Sequence, residues 1–279
     1  STMLTSKHQT KESIVLRKQQ SSANRMIWQD GKGKSHSNCV VMATHKMDER
    51  TLKYFTYIKE EVAMSMDFII MYDCSHQPLD HKALPAFNIF AFDSGTLNGF
   101  FHRNDRRLPN PLVALIELSK HATYEHFLLM ENDLVFTGDW SHLARQINEE
   151  DMDYIHIASD ILGGPNSHWP KGYIQGSPFK SLYFSWSQLF YVSRQYVRNL
   201  EAFVSENDSF YYEFLLPTMA YNKGYLIKQF ENFGYHFQLS WGPAEVFEYK
   251  YQFERQHNTF YHPIKNLGIV DIPEIVKHV

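Results

Sequence analysis

The chain has 279 residues, 43% of them hydrophobic and 15% aromatic, with a formal net charge of −4. That is enough apolar material for a sizeable buried core, and it excludes an intrinsically disordered protein. The charge is uneven: residues 1–36 hold seven Lys or Arg against two acids, leaving twenty against twenty-nine over residues 37–279, and so acidic a body excludes a broad basic face for nucleic acid.

Residues 1–36, rich in Ser, Lys, Gln and Gly, read as a flexible N-terminal leader that packs at most locally. Its Gly-Lys-Gly-Lys-Ser piece lacks the spacing of a phosphate-binding loop and precedes a strand instead of following one. The folded domain is expected over 37–279. Its opening run, CVVMATHK, reads as a buried strand; Asp48 can cap an amphipathic helix running to about Met64, and DFIIMYDCS reads as a second buried strand. A right-handed βαβ crossover of this kind leaves Thr44 and Asp73 together at the carboxyl edge of the sheet. There Thr44 and Asp73 could touch a base or ribose, although a strand-end acid capping a turn explains Asp73 equally well. NIFAFDSG gives a third short strand ending in Asp93, with the same pair of readings.

The segment holding His102, Arg103, Arg106 and Arg107 reads as a solvated loop, and Asn110 and Pro111 open an amphipathic helix. Next comes YEHFLLMENDLVFTGDW, Tyr124 to Trp140. Its apolar run ends abruptly in Glu131, Asn132 and Asp133, which read either as a polar turn between strands or as oxygen ligands that share one hard divalent cation at a strand's carboxyl end. Gly138, Asp139 and Trp140 lead into a helix, and DYIHIASD reads as a strand. The Gly- and Pro-rich stretch that follows, with residues 163–176 at its centre, is longer than an ordinary connection and could close over a substrate. LYFSWSQLFYVSRQYVRNLEAFV reads as a strand running into a helix. Glu213 then opens another helix among Phe210, Tyr211, Tyr212 and Phe214, where burial would raise its pKa and suit it to accept a proton. An acid at a helix start can also serve only the helix dipole. The remaining third reads as aromatic and irregular through Trp241 and Pro243, closing on NTFYHPIKN with His262 and Lys265.

Cys39 and Cys74 both read as reduced and buried, with a disulfide between them left open and no paired-cysteine zinc site. No run of 18 apolar residues and no signal-peptide core is present, so a chain without a transmembrane segment is expected, soluble and cytoplasmic or otherwise intracellular, or in a secretory compartment if an anchor was trimmed from a longer protein.

The order of these parts, carried by ENDLVF, LGG, YYEFLLPT and FYHPIK between about Cys39 and Lys265, resembles the glycosyltransferases of the GT-A fold superfamily. It is similar to small soluble transferases that build bacterial surface polysaccharides or the capsid glycans of large viruses. The resemblance implies an α/β fold, a single domain with a Rossmann-like, mainly parallel central sheet flanked by helices, in which residues 37–136 bind the nucleotide-sugar and residues 137–279 the acceptor. It implies that Asp133 and His262 ligate Mn²⁺ or Mg²⁺ and that Lys265 neutralises a diphosphate oxygen. Glu131 stands where the family has Asp and would touch the ribose or reach the metal through water, with Asn132 in the variable middle place. Glu213 matches the base of inverting enzymes; Asp160, Asp208 and Glu245 are the other candidates for that role.

The implied reaction moves a sugar from a nucleotide-sugar donor, UDP-linked such as UDP-xylose or UDP-galactose, to a hydroxyl of an oligosaccharide or glycan acceptor. Two other readings stay open: a sugar nucleotidyltransferase, which would make a nucleotide sugar and pyrophosphate at the same sheet edge, and a non-enzymatic carbohydrate-binding module whose aromatic rings stack on sugars.

Overall fold

The computed structural model describes residues 27–29, 33–79, 86–94, 110–158, 160–161, 178–206 and 212–273. The expected loop over 99–110, residue 110 apart, the expected loop over 163–176, most of the leader, and Asp208 lie outside them.

Continuous apolar runs make the central strands: β2 (Asn38–Thr44), β3 (Asp67–Asp73), β4 (Asn88–Phe92) and β5 (His126–Glu131), each buried along its interior. Strands β4, β3, β2 and β5 lie side by side and parallel. Beyond β5 come β10 (Leu189–Ser193), β7 (Tyr154–His156) and β11 (Ile227–Gln229), and at the other edge β1 (Ile27–Gln29) pairs with β4, completing eight strands. Thus three residues of the expected leader take part in the sheet. Only β1 and β10 run antiparallel to their neighbours. The chain therefore adopts the expected α/β class, with a mainly parallel central sheet flanked by helices.

The two-residue period of the strands sorts the core into two layers. Cys39, Val41 and Ala43 face α2 (Asn110–His121), α4 (Arg194–Glu206) and α5 (Tyr212–Lys223). Val40 and Met42 face α1 (Glu49–Val62), α3 (Trp140–Asn148) and α6 (Ala244–Phe253). Helix α1 starts where Asp48 accepts the Thr51 N–H at 3.0 Å, and α3 where Asp139 accepts the His142 N–H at 2.9 Å, caps of the kind that satisfy otherwise orphaned donors.

The C-terminal region is not irregular. It supplies α6, β12 (His236–Leu239) and β13 (Thr259–His262), and the last two join β6 (Val135–Phe136) in a three-stranded satellite sheet of order β12-β13-β6. Helix α6 has no clean apolar stripe: Phe247 and Tyr251 are buried, whereas Val246, Tyr249 and Phe253 are exposed, which hides its 3.6-residue period. A two-stranded ribbon pairs β8 (Asp160–Ile161) with β9 (Tyr183–Phe184). Both cysteines are free, Cys39 buried and Cys74 only half-buried. Among the described residues no helix is long and apolar enough to cross a membrane.

Candidate active site

The chain leaves β5 at Glu131 under tight constraint. The Glu131 N–H donates to the Gln188 carbonyl at 3.1 Å and the Asn132 N–H to the Ala43 carbonyl at 3.1 Å, so the strand end is held from both sides. The Tyr54 hydroxyl donates to the Leu134 carbonyl at 2.8 Å, and the Ile264 N–H to the Asp133 carbonyl at 2.9 Å. The second bond, together with the β6–β13 pairing and the stacked Phe136 and Phe260 rings 4.2 Å apart, brings the end of β13 against the acid turn.

The side chains meet there. His262 Nε2 lies 3.0 Å from Glu131 Oε2 and 3.2 Å from Asp133 Oδ1, and the Lys265 ammonium pairs with the other Asp133 oxygen. One ligand atom from each of Glu131, Asp133 and His262 falls within a 4.8 Å cluster. Two carboxylates and one imidazole form a donor set that a divalent cation can take. Burial disfavours the His262 cation, but the hydrogen bonds and charges of Asp133 and Glu131 outweigh it and hold the imidazole up at about 9. Burial likewise works to raise Asp133, yet His262 and Lys265 dominate and hold it at about 2. The proton on His262 thus occupies the place between the carboxylates where a cation would sit, and the buried, unpartnered Nδ1 is the atom that would carry the proton once Nε2 binds one.

A cavity of about 480 Å³ opens on this cluster. Thr44, His45, Asp73 and Phe92 line it on one side, Glu131, Asn132 and Asp133 in the middle, and Trp241, His262 and Lys265 on the other. Thr44 Oγ1 is engaged with the backbone of Lys46. Asp73 Oδ1 accepts the Ser75 and Ser94 N–H groups at 3.0 and 3.2 Å, so it caps a turn while it lines the cavity. Asp93 follows β4 but is not part of that lining.

Glu213 lies deeper, only 1% exposed. The Ser185 N–H donates to its carbonyl at 3.0 Å and the Ser187 N–H to its carboxylate, whose Oε2 has no partner. Burial, then the negative charge of Glu131, push the carboxyl up to about 8 against the opposing Ser187 bond and His262 charge. The neighbouring Tyr212 hydroxyl reaches Glu131 Oε1 at 3.5 Å, a marginal hydrogen bond. Tyr212, Ser187 and Trp241 are the members of this region to which sequence reasoning assigned no role; the abrupt polar break SWSQ before LFYV was the available signal for Ser187. Of the other candidate bases, Glu245 is exposed at the start of α6.

These features define an α/β protein with a carboxylate–imidazole centre and a buried, proton-holding acid at the carboxyl edge of its sheet. No protein-family model and no curated protein matches the chain. Among solved structures, an active-site mutant of LgtC is similar at 10% identity over 75% of this chain and 81% of that one, TM-score 0.43. CMP:2-keto-3-deoxy-manno-octonic acid synthetase complexed with CTP is similar at 10% identity over 69% and 88%, TM-score 0.41. The inositol-1-phosphate CTP transferase from T. maritima is similar at 12% identity over 71% and 86%, TM-score 0.41. Likeness of this degree assigns no chemistry to the residues above.

Proposed function

We propose that this chain is a metal-dependent, inverting glycosyltransferase that moves a sugar from a UDP-linked donor to a hydroxyl of a glycan acceptor. The observation that carries this reading is the convergence of Glu131, Asp133 and His262 at the end of β5, with the buried Glu213 carboxyl beside them. The donor nucleotide lies over the ends of β2, β3 and β4, near Thr44 and Asp73, within residues 37–136, and the acceptor lies against residues 137–279. A bound Mn²⁺ or Mg²⁺ supplies Lewis-acid neutralisation of the leaving diphosphate. Lys265, which pairs with Asp133, would add a positive charge on the same side.

Glu213, as carboxylate, takes the proton of the acceptor hydroxyl while that oxygen bonds to the anomeric carbon and the bond to the diphosphate breaks. A positioned base of this kind contributes about 10² to 10⁴ in rate. Its raised pKa suits it to hold that proton near neutrality.

The test is a thermal-shift assay with UDP, with and without Mn²⁺, on the wild type and on Asp133→Ala, followed by mass spectrometry of products from a panel of UDP-sugars. A ligand that binds only the native state at 100 times its Kd adds about 2.7 kcal/mol of stability, so wild type should gain a clear Mn²⁺-dependent shift that Asp133→Ala lacks. Equal shifts in both proteins, or release of pyrophosphate from a nucleoside triphosphate and a sugar phosphate, would overturn the reading.

A further inference from the structure

Large aromatic side chains in this protein are mostly buried, and Trp241 is an exception at 53% exposure. It lines the same cavity as Glu131, Asp133 and His262. Its placement is built into the fold. The Ser240 N–H donates to the His262 carbonyl at 3.2 Å, which ties the tryptophan's own segment to the strand that carries the imidazole. Ser240 Oγ accepts the Gly242 N–H at 2.9 Å, and a Cβ at position 242 would stand 3.2 Å from that oxygen, so the turn is held from both flanks of Trp241. Trp186 packs against Trp241 with ring centroids 4.9 Å apart at 66°, and Trp186 is itself braced edge-on by Phe184 at 5.5 Å.

Topology fixes the side of the cluster on which this aromatic pair stands. Trp186 lies in the segment before β10, and β10 is the neighbour of β5 on the side away from β2, β3 and β4. The same segment, at Ser185 and Ser187, holds Glu213. The aromatic pair and the buried acid therefore share one side of the carboxylate–imidazole cluster, and Thr44, Asp73 and Phe92 occupy the other. An exposed indole offers an apolar face with a polar edge, which matches the axial C–H face of a pyranose ring.

We propose that Trp241, braced by Trp186, is the stacking platform for a pyranose ring of the acceptor glycan, on the Glu213 side of the metal cluster. The assignment of that ring to an acceptor rests on the glycosyltransferase reading; the platform itself does not need it.

Saturation-transfer NMR tests it with methyl β-D-galactopyranoside, methyl β-D-xylopyranoside, lactose and cellobiose, on the wild type, Trp241→Ala and Trp241→Phe. At least one saccharide should receive saturation at its ring C–H protons in wild type. Trp241→Ala should bind it about tenfold more weakly and Trp241→Phe should keep part of the affinity, as the loss of one stacked ring requires. Circular dichroism and the ligand-free melting transition establish that the variants are folded, and the UDP–Mn²⁺ thermal shift is read on all three proteins. If a variant fails to fold, tryptophan fluorescence of wild type serves instead, and the saccharide must change it. Equal saccharide binding by folded wild type and Trp241→Ala, or no binding and no fluorescence change in wild type, would overturn the platform. Loss of UDP affinity in Trp241→Ala without loss of saccharide would also overturn it, by making the indole a nucleobase platform. Saccharide binding that depends on Trp241 in a protein indifferent to UDP and Mn²⁺ would uphold the platform while removing the glycosyltransferase reading.

Discussion

Replacing Glu213 with glutamine should make the protein inactive and, above neutral pH, more stable. The carboxyl titrates at about 8 in the folded chain against an ordinary value of 4.5. An acid whose folded pKa is raised costs nothing below 4.5. Its cost then grows with pH and levels off above about 8. At one pKa unit per 1.36 kcal/mol, the cost is about 3 kcal/mol at pH 7 and about 5 kcal/mol at the plateau. Glutamine has the same shape and no charge, but its amide enters a site where Oε2 finds no partner, a penalty of about 1–3 kcal/mol that does not vary with pH. The slope is therefore the diagnostic. Urea denaturation of both proteins in EDTA at pH 5, 6, 7 and 8 should show the difference moving toward glutamine by about 1.4 kcal/mol per pH unit until it flattens near pH 8. Turnover by the wild type should rise with pH over the same interval, and Glu213→Gln should lose about 10² to 10⁴ in kcat while keeping UDP–Mn²⁺ binding. Parallel stability curves from pH 5 to 8 would refute the burial of an ionisable acid at this place, and normal turnover by the variant would move the base elsewhere.

Burial holds His156 down at about 4, against an opposing bond to the Ile157 carbonyl. Its depressed pKa means the neutral ring is tolerated above 6.5, and stability is lost as pH falls from 6.5 through 4, by about 3 kcal/mol in all; His156→Gln should remove that part of the acid sensitivity in denaturation curves taken at pH 7 and pH 4. Gly138→Ala should destabilise by about 1–3 kcal/mol, as overpacking does, because the new Cβ would strike the Phe136 ring and stand 2.5 Å from Asn258 Oδ1. Calorimetry should show the lower melting temperature, and no change would mean that Phe136 can leave its stack on Phe260 freely.

Much of the sheet was legible in the sequence because β2, β3 and β5 are buried on both faces and so read as unbroken apolar runs that stop at polar residues. The caps Asp48 and Asp139 were legible for a local reason: a short polar side chain just before an amphipathic stretch. The approach of His262 to Glu131 and Asp133 was legible only through the order of parts, since no spacing along the chain specifies a contact made by a satellite sheet. Glu213 was legible from its aromatic neighbours, which foretold burial. What escaped was set by long-range topology. Nothing local says that β10 runs antiparallel between β5 and β7, and it is this reversal that carries Trp186 and Ser187, residues before a strand, to the edge where the other strands end. Helix α6 escaped because its apolar residues lie on more than one face. Asp73 caps the expected turn and also lines the cavity, while Asp93 is not part of that lining.

Asp133 and Lys265 are 132 residues apart in the chain, and His262 is nearly as far from Glu131. Closing a flexible loop of that length costs about 4 kcal/mol before any contact rewards it. A cation held between the acid turn and β13 would thus behave as a reversible cross-link between distant parts of the sequence. Its affinity would report on one of the most non-local contacts in the molecule, the docking of β13 on β6, so that a partly folded chain with intact central strands would be blind to Mn²⁺.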